Sequence, residues 1–343
     1  MEKTDLKSFT YEEAADFLAR IGEPAYRAKQ LYDWMHVKKA AAFDEMTNLP
    51  KSLRKKLEKE CAYTALTAKS IQQSARDGTR KYLFELADGN HIESVLMRYR
   101  HGNSVCVSSQ VGCRMGCRFC ASTLDGVERN LTPGEILDQI YRIEADIGER
   151  VSNVVIMGMG EPFDNYDNVL RFIRMATDAH GANISGRNIT LSTCGLVPRI
   201  YDLAEEDLTI TLAVSLHAAT QEKRMQLMPV AKTYPLPELM TACKYYFEKT
   251  GRRLTFEYAL IAGGNDGEED AKALSGLLKG FGAHVNLIPV NPVTERGFMP
   301  PDKAAANNFS HRLEKYGINV TIRRSMGRDI DGACGQLRRR FER

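Results

Sequence analysis

Val105-Cys-Val-Ser-Ser-Gln-Val-Gly-Cys-Arg-Met-Gly-Cys-Arg-Phe-Cys120 couples a strand-like run, Val105 to Gln110, to three cysteines at C-x3-C-x2-C spacing. From this point strand-like and helical patterns alternate to the end of the chain. The further strand-like runs are NVVIM (153–157), NITLS (188–192), TITLAVSL (209–216), LTFEYALI (254–261), HVNLIPV (284–290) and NVTIR (319–323). Between them lie helical patterns such as PGEILDQIYRIEADIG (133–148), LPELMTACKYYFEKTG (236–251) and GEEDAKALSGLLKGFG (267–282). Such alternation predicts an α/β fold, a parallel sheet covered by helices and either open or curled into a full or partial barrel. Ligands in such folds gather at the carboxyl ends of the strands, which is where the cysteines lie.

Working outward, the first 63 residues read as a small helical accessory domain with helices over Tyr11 to Ile21, Ala25 to Lys38 and Pro50 to Cys61. Thr10 suits an N-cap and Pro50 a first turn. Residues 64–104 change to β-like runs, with Asp88-Gly89 turning a hairpin inside KYLFELADGNHIESVLMRY. Residues 105–343 carry the alternating α/β pattern as one large domain, ending in a loop around Cys334 and a basic tail.

The 343-residue chain is 43% apolar and 27% charged, the mixture of a globular protein. No apolar run reaches the roughly 18 residues that span a bilayer, and the N-terminus lacks a signal-peptide core. A cytoplasmic protein without a membrane partner is expected. The net charge of +3 is small but uneven. Seven arginines from Arg323 to Arg343 face only Asp329, Asp331 and Glu342, and Lys51, Arg54, Lys55, Lys56 and Lys59 form a second basic patch. Each patch is either a solvated helix face or a phosphate-binding surface.

Eight cysteines are too few for a disulfide scaffold in a chain of this length. Cys113, Cys117 and Cys120 can instead converge on one metal centre. Structural zinc needs four protein ligands, and no fourth follows nearby. A cubane cluster held by three thiolates keeps one iron open to bind and activate another molecule.

This spacing, with Phe119 before the third cysteine, resembles the signature of the radical S-adenosylmethionine (SAM) superfamily. Gly158-Met-Gly160-Glu161-Pro162 resembles that superfamily's glycine-rich element for the methionine end of SAM. CVSSQVGC, GMGEP, LSTCG, SLH, LIPVNP and DIDGACGQL together resemble the RlmN and Cfr group of RNA adenine methyltransferases along essentially the whole chain. The resemblance implies a partial (βα)6 barrel, a 4Fe-4S cluster on Cys113, Cys117 and Cys120, and two SAM molecules per turnover. It implies SAM contacts from Gly160, Glu161, Ser192, Ser215, Leu216, His217 and Asn291. Cys334 would carry the methyl group, Cys106 would resolve the protein–RNA adduct, and Glu93 would accept the ring proton.

The chemistry explains that division of labour. The C–H carbons of adenine are electron-poor, so a direct displacement from SAM fails there, and a thiolate takes the methyl first. Radical chemistry then activates the methyl on sulfur, and after its addition to the base Cys106 attacks Cys334 to release the RNA as a disulfide forms. The substrates implied are adenosine at carbon 2 in the peptidyl-transferase region of large-subunit rRNA, with tRNA as a second substrate. The electron donor would be a flavodoxin or ferredoxin and the enzyme a monomer. Val111 and Pro162 favour carbon 2 over the Cfr-like activity at carbon 8, which confers antibiotic resistance. A non-catalytic iron–sulfur or zinc RNA-binding module would have no use for Cys106 and Cys334. Two positions depart from the family pattern: Cys194, where serine is common, and Gly332, where alanine is common and where glycine should loosen the Cys334 loop. Cys61 and Cys243 lie in helical patterns and are expected to be buried.

Overall fold

The computed structural model describes residues 3–337. Of the basic tail, Arg338, Arg339, Arg340 and Arg343 lie outside the described residues.

Three N-terminal helices form as their periodicity predicts: α1 (Tyr11–Arg20), α2 (Tyr26–Tyr32) and α3 (Lys51–Glu60). Thr10 closes a capping box with Glu13, satisfying two amides of the first turn. Pro50 sits one residue earlier than expected, at the N-cap. The single helix expected from Ala25 to Lys38 is α2 followed by a π-helical turn, Asp33–Val37. Leu18, Leu31, Leu53 and Leu57 give this unit its own core, which Cys61 closes.

The main sheet has ten strands: β1 (Thr67–Gln73), β2 (Arg80–Glu85), β3 (His91–Tyr99), β4 (Gly102–Cys106), β7 (Val151–Ile156), β8 (Ile189–Thr193), β9 (Thr211–Ser215), β10 (Thr255–Leu260), β11 (His284–Pro289) and β12 (Asn319–Ile322), in that spatial order. The first three are antiparallel; from β4 to β12 every neighbouring pair is parallel. Helices α4 (Pro133–Ile147), α5 (Tyr166–Thr177), α6 (Val197–Glu205), α8 (Leu236–Thr250), α9 (Glu268–Leu278) and α10 (Lys303–Lys315) each follow one of the parallel strands. These are the six βα units of the expected partial barrel, and β12 adds a strand to them. A short helix, α7 (Gln221–Leu227), lies in the β9–α8 connection.

The strand expected from Val105 to Gln110 ends instead at Cys106. Ser108 and Ser109 give their amides to Gln139 and to the Met159 carbonyl, so the ladder stops and the chain lifts away. Gln110–Gly112 (β5) then pairs with Val127–Asn130 (β6) in a separate two-stranded sheet.

Side chains alternate along the parallel strands. In β8, Ile189 and Leu191 are buried in the main core, whereas Thr190 and Ser192 are half-buried. One face is thus apolar and the other polar. The sheet curls around its polar face: Arg323, just after β12, reaches Met157, just after β7, at 3.4 Å. In a flat sheet those two strands would stand about 24 Å apart, beyond any arginine's reach. No described helix is long and apolar enough to cross a membrane.

The N-terminal unit docks on α4. Lys7 bonds Asp138 at 2.7 Å with both side chains fully buried, and Asp138 also accepts from the Leu66 amide. His36 meets the Tyr141 hydroxyl at 3.0 Å.

Candidate active site

Two loops at the carboxyl ends of β4 and β7 are zipped together. Gly158 donates to the Val107 carbonyl, Met159 to the Ser108 hydroxyl, and Ser109 to the Met159 carbonyl. A Cβ on Gly158 would lie 2.6 Å from that Val107 oxygen, and one on Gly160 2.7 Å from Gln110 and Ser109. Only glycine permits this approach. The loops rim a cavity of about 990 Å³, counted out to solvent, which is the size of a small-molecule site.

Cys113, Cys117 and Cys120 all line the cavity. Burial pushes the Cys113 thiol up to about 12, and raises Cys117 and Cys120 too, with neighbouring thiols adding to the cost of ionisation at Cys113 and Cys117. Three desolvated, mutually repelling thiolates require positive charge among them. Among the described residues, no three histidine, cysteine or acidic side chains are gathered as a lone metal ion would need. A cubane instead takes its thiolates at separate corners. The Met115 amide favours a thiolate at Cys113 and the Ser122 amide favours one at Cys120, the type of hydrogen bond that tunes iron–sulfur centres. The residues present therefore fit a three-thiolate 4Fe-4S cluster.

Gly160, Glu161, Ser192, Ser215, His217 and Asn291 line the same cavity. Glu161 is buried, which raises its carboxyl above the usual range. It accepts from the Thr193 hydroxyl at 2.7 Å and from the amides of Cys194 and Phe163 at 2.8 and 3.0 Å. His217 has a positive φ of 57°, uncommon away from glycine. Its Nδ1 accepts from the Ala259 amide, which leaves the proton on Nε2, and burial pushes its pKa down to about 3. Phe119 packs edge-on against its ring at 4.7 Å. Asn291 is engaged within the protein, donating to the Cys334 carbonyl and accepting from Arg328. Leu216 points elsewhere: its side chain lies in the main core, and only its amide, donating to the Glu257 carbonyl, faces this region.

Cys334 opens into the cavity beside this set. Its loop is clamped on both sides: Ala121 and Ser122 donate to the carbonyls of Gly335 and Leu337, while Ser74 and Asp77 hold Asp329 and the Gly327 amide. Cys106 does not line the cavity but lies buried at the end of β4, within electrostatic reach of Cys334. Burial pushes the Cys106 thiol up to about 12 and also raises Cys334, and the Arg323 guanidinium opposes both shifts. Glu93 also stays outside the cavity. Cys106 pairs with Val95 across the ladder, so Glu93 shares that face two residues further on, where it ion-pairs with Lys81 at 3.1 Å.

Three residues of this region carry no motif. Glu257 lines the cavity and accepts from Asn286; its signal was a lone acid inside the apolar run LTFEYALI. Arg323 is within electrostatic reach of both remote thiols, and its position at a strand end was the available clue. Arg224 had no signal, because an arginine on a helix is ordinarily a solvated residue. Cys194, the departure from the family pattern, lines the cavity and packs with Cys117. Cys61 and Cys243 are buried, as expected. Gly332 has ordinary φ, and a Cβ there would meet nothing nearer than 3.4 Å.

Comparison with known proteins adds five findings. Residues 4–62 match the model of the ribosomal RNA large subunit methyltransferase N-terminal domain, and residues 107–274 match the radical SAM superfamily. The chain is 58% identical over 338 residues to a probable dual-specificity RNA methyltransferase RlmN of Lachnospira eligens, covering 98% of this chain and 97% of that one. It is 52% identical to the similarly named protein of Clostridioides difficile, with 99% of each chain covered. A crystal structure of a radical SAM methyltransferase from Sphaerobacter thermophilus is 45% identical and superposes with a TM-score of 0.95, covering 98% of this chain and all of that one.

Proposed function

Because the chain belongs to the RlmN family of radical SAM RNA methyltransferases, we propose that it methylates carbon 2 of an adenosine in the peptidyl-transferase region of 23S rRNA, and an adenosine in tRNA, through a methyl group carried on Cys334. The observation that carries this reading is the shared cavity: the Cys334 thiol opens into the space lined by Cys113, Cys117 and Cys120. Val111 and Pro162, and the naming of the relatives, favour carbon 2 over carbon 8.

Cys113, Cys117 and Cys120 would hold the cluster, and Glu161 with the Gly158–Gly160 turn would hold the methionine end of SAM. Bound there, the cluster and SAM supply one-electron cleavage chemistry that removes hydrogen from an unactivated methyl group, with two SAM molecules serving each turnover. Cys334 accepts the methyl as a thiolate, and the positive charge of Arg323 favours that thiolate. Once the base is attached through this sulfur, Cys106 attacks it; a disulfide forms as the carbon–sulfur bond breaks, and an external reductant restores both thiols. Glu93 takes the ring proton, being on the Cys106 face of β3.

The target base must leave its stack to reach a cavity set among the strand ends. The N-terminal unit supplies phosphate contacts. A flavodoxin or ferredoxin serves as electron donor, and the enzyme works as a monomer in the cytoplasm, where its RNA substrates are. Nucleoside mass spectrometry of a 23S rRNA fragment incubated anaerobically with protein, SAM and reductant tests the assignment. It should return 2-methyladenosine; 8-methyladenosine, or unmodified adenosine, would overturn it.

A further inference from the structure

Arg224, on α7, is fully buried. One of its nitrogens, Nη2, donates to the Cys194 carbonyl at 2.7 Å and to the Ser215 carbonyl at 3.3 Å. The other two, Nε and Nη1, find no hydrogen-bond partner among the described residues. No carboxylate pairs with it either: the groups that favour its charge are the thiols of Cys194, Cys117 and Cys243, and the nearby His217 stays neutral. Burial lowers its pKa, yet a guanidinium stays protonated at any ordinary pH. An unpaired buried cation of this kind is costly unless an anion offsets it.

The surroundings say which anion. Cys194 and Cys117 pack in one cluster with Met228, directly after α7. The Leu227 carbonyl accepts from the Arg118 amide at 2.9 Å, which fastens the end of α7 to the loop carrying the cysteine triplet. Gly116 of that loop leaves room against Pro229, where a Cβ would meet the ring at 3.4 Å. Arg224 itself does not line the cavity, so its charge sits behind the wall and acts without touching what is bound.

We propose that Arg224 is the counter-charge of the iron–sulfur cluster, a positioning residue that fixes the ends of β8 and β9 and raises the cluster's reduction potential. The inference rests on Cys113, Cys117 and Cys120 being the cluster ligands. One electron from the external donor adds one negative charge to a group already made anionic by three thiolates. In a low-dielectric wall, a fixed guanidinium favours that added charge more than water would. A purely structural role would leave the electron affinity of the cluster unchanged.

Redox titration of the anaerobically reconstituted protein, followed by electron paramagnetic resonance, tests the idea in the wild type, Arg224→Lys and Arg224→Gln. Iron content is measured first. Arg224→Gln should be at least tenfold harder to reduce, a fall of about 59 mV for one electron, while Arg224→Lys keeps the charge and stays near the wild-type potential. Arg224→Gln titrating with the wild type, or Arg224→Lys falling as far as tenfold, overturns the proposal. If Arg224→Gln holds too little iron to titrate, Arg224→Met, a neutral side chain that suits an apolar wall, takes its place, and a potential equal to the wild type's overturns the proposal in the same way. A wild type without a four-iron cluster overturns the assignment of the cysteine triplet instead, and the iron content reveals that before any titration.

Discussion

Gly158 and Gly332 both stand in loops that carry the chemistry, yet the space around them is opposite. A Cβ on Gly158 meets backbone and hydroxyl of the β4 loop at 2.6 to 2.8 Å, so Gly158→Ala must part the two zipped loops. The cost expected is about 1–3 kcal/mol in urea denaturation, with weaker SAM binding alongside. Gly332 has space and ordinary φ. Gly332→Ala should raise stability by about 0.4–1 kcal/mol through a less free unfolded chain. The opposite order of the two variants would mean that the loop packing is misread. The cysteine triplet and the GMGEP turn were legible because their residues are close in sequence and few other chemistries use that spacing. Glu257, Arg323 and Arg224 were not, because their importance arises only when distant strand ends converge on one cavity.

At the scale of elements, Lys51, Lys55 and Lys59 form one exposed stripe along α3, four residues apart. Lys56 differs from them: its ammonium donates to the Ile21 carbonyl at 3.0 Å and secures the end of α1, while Arg54 holds Asp44. The basic patch read from sequence therefore separates into a free stripe and two tethers. Charge reversal at Lys51, Lys55 and Lys59 should weaken RNA binding and reduce its log–log salt slope by about one per lysine. Lys56→Glu should chiefly destabilise the N-terminal unit. Equal RNA affinity of the triple variant at low and moderate salt would show that the stripe is a solvated face. Periodicity located these helices, β2, β3 and the strands from β7 to β12 to within two residues, but gave no separate sign of β1, β5 or β6. It failed at Ser108 and Ser109, since hydrogen bonding to Gln139 and Met159, which ends β4, has no local signature.

The whole molecule is a polar-faced half barrel with a helical unit fastened to α4 by buried polar groups. His36 lies in that joint, and burial pushes its pKa down to about 3 from 6.5. A depressed folded-state pKa means that its contribution to stability is complete above pH 6.5 and is lost as the pH falls toward 3. The loss is about 1.4 kcal/mol per pH unit over that range, and His217 adds a similar term. His36→Gln should flatten the dependence between pH 6.5 and 5, measured by urea titration; an unchanged slope would place the acid sensitivity elsewhere. The same curled architecture brings Cys334 and Cys106 together from opposite ends of the catalytic region, and the account depends on their dividing one reaction between them. Denaturing gel analysis of labelled RNA after anaerobic reaction tests this most directly. Cys106→Ala should accumulate a covalent protein–RNA adduct on the peptide containing Cys334, and Cys334→Ala should give neither adduct nor methylated RNA. Normal turnover by Cys106→Ala without an adduct, or methylation by Cys334→Ala, would contradict it.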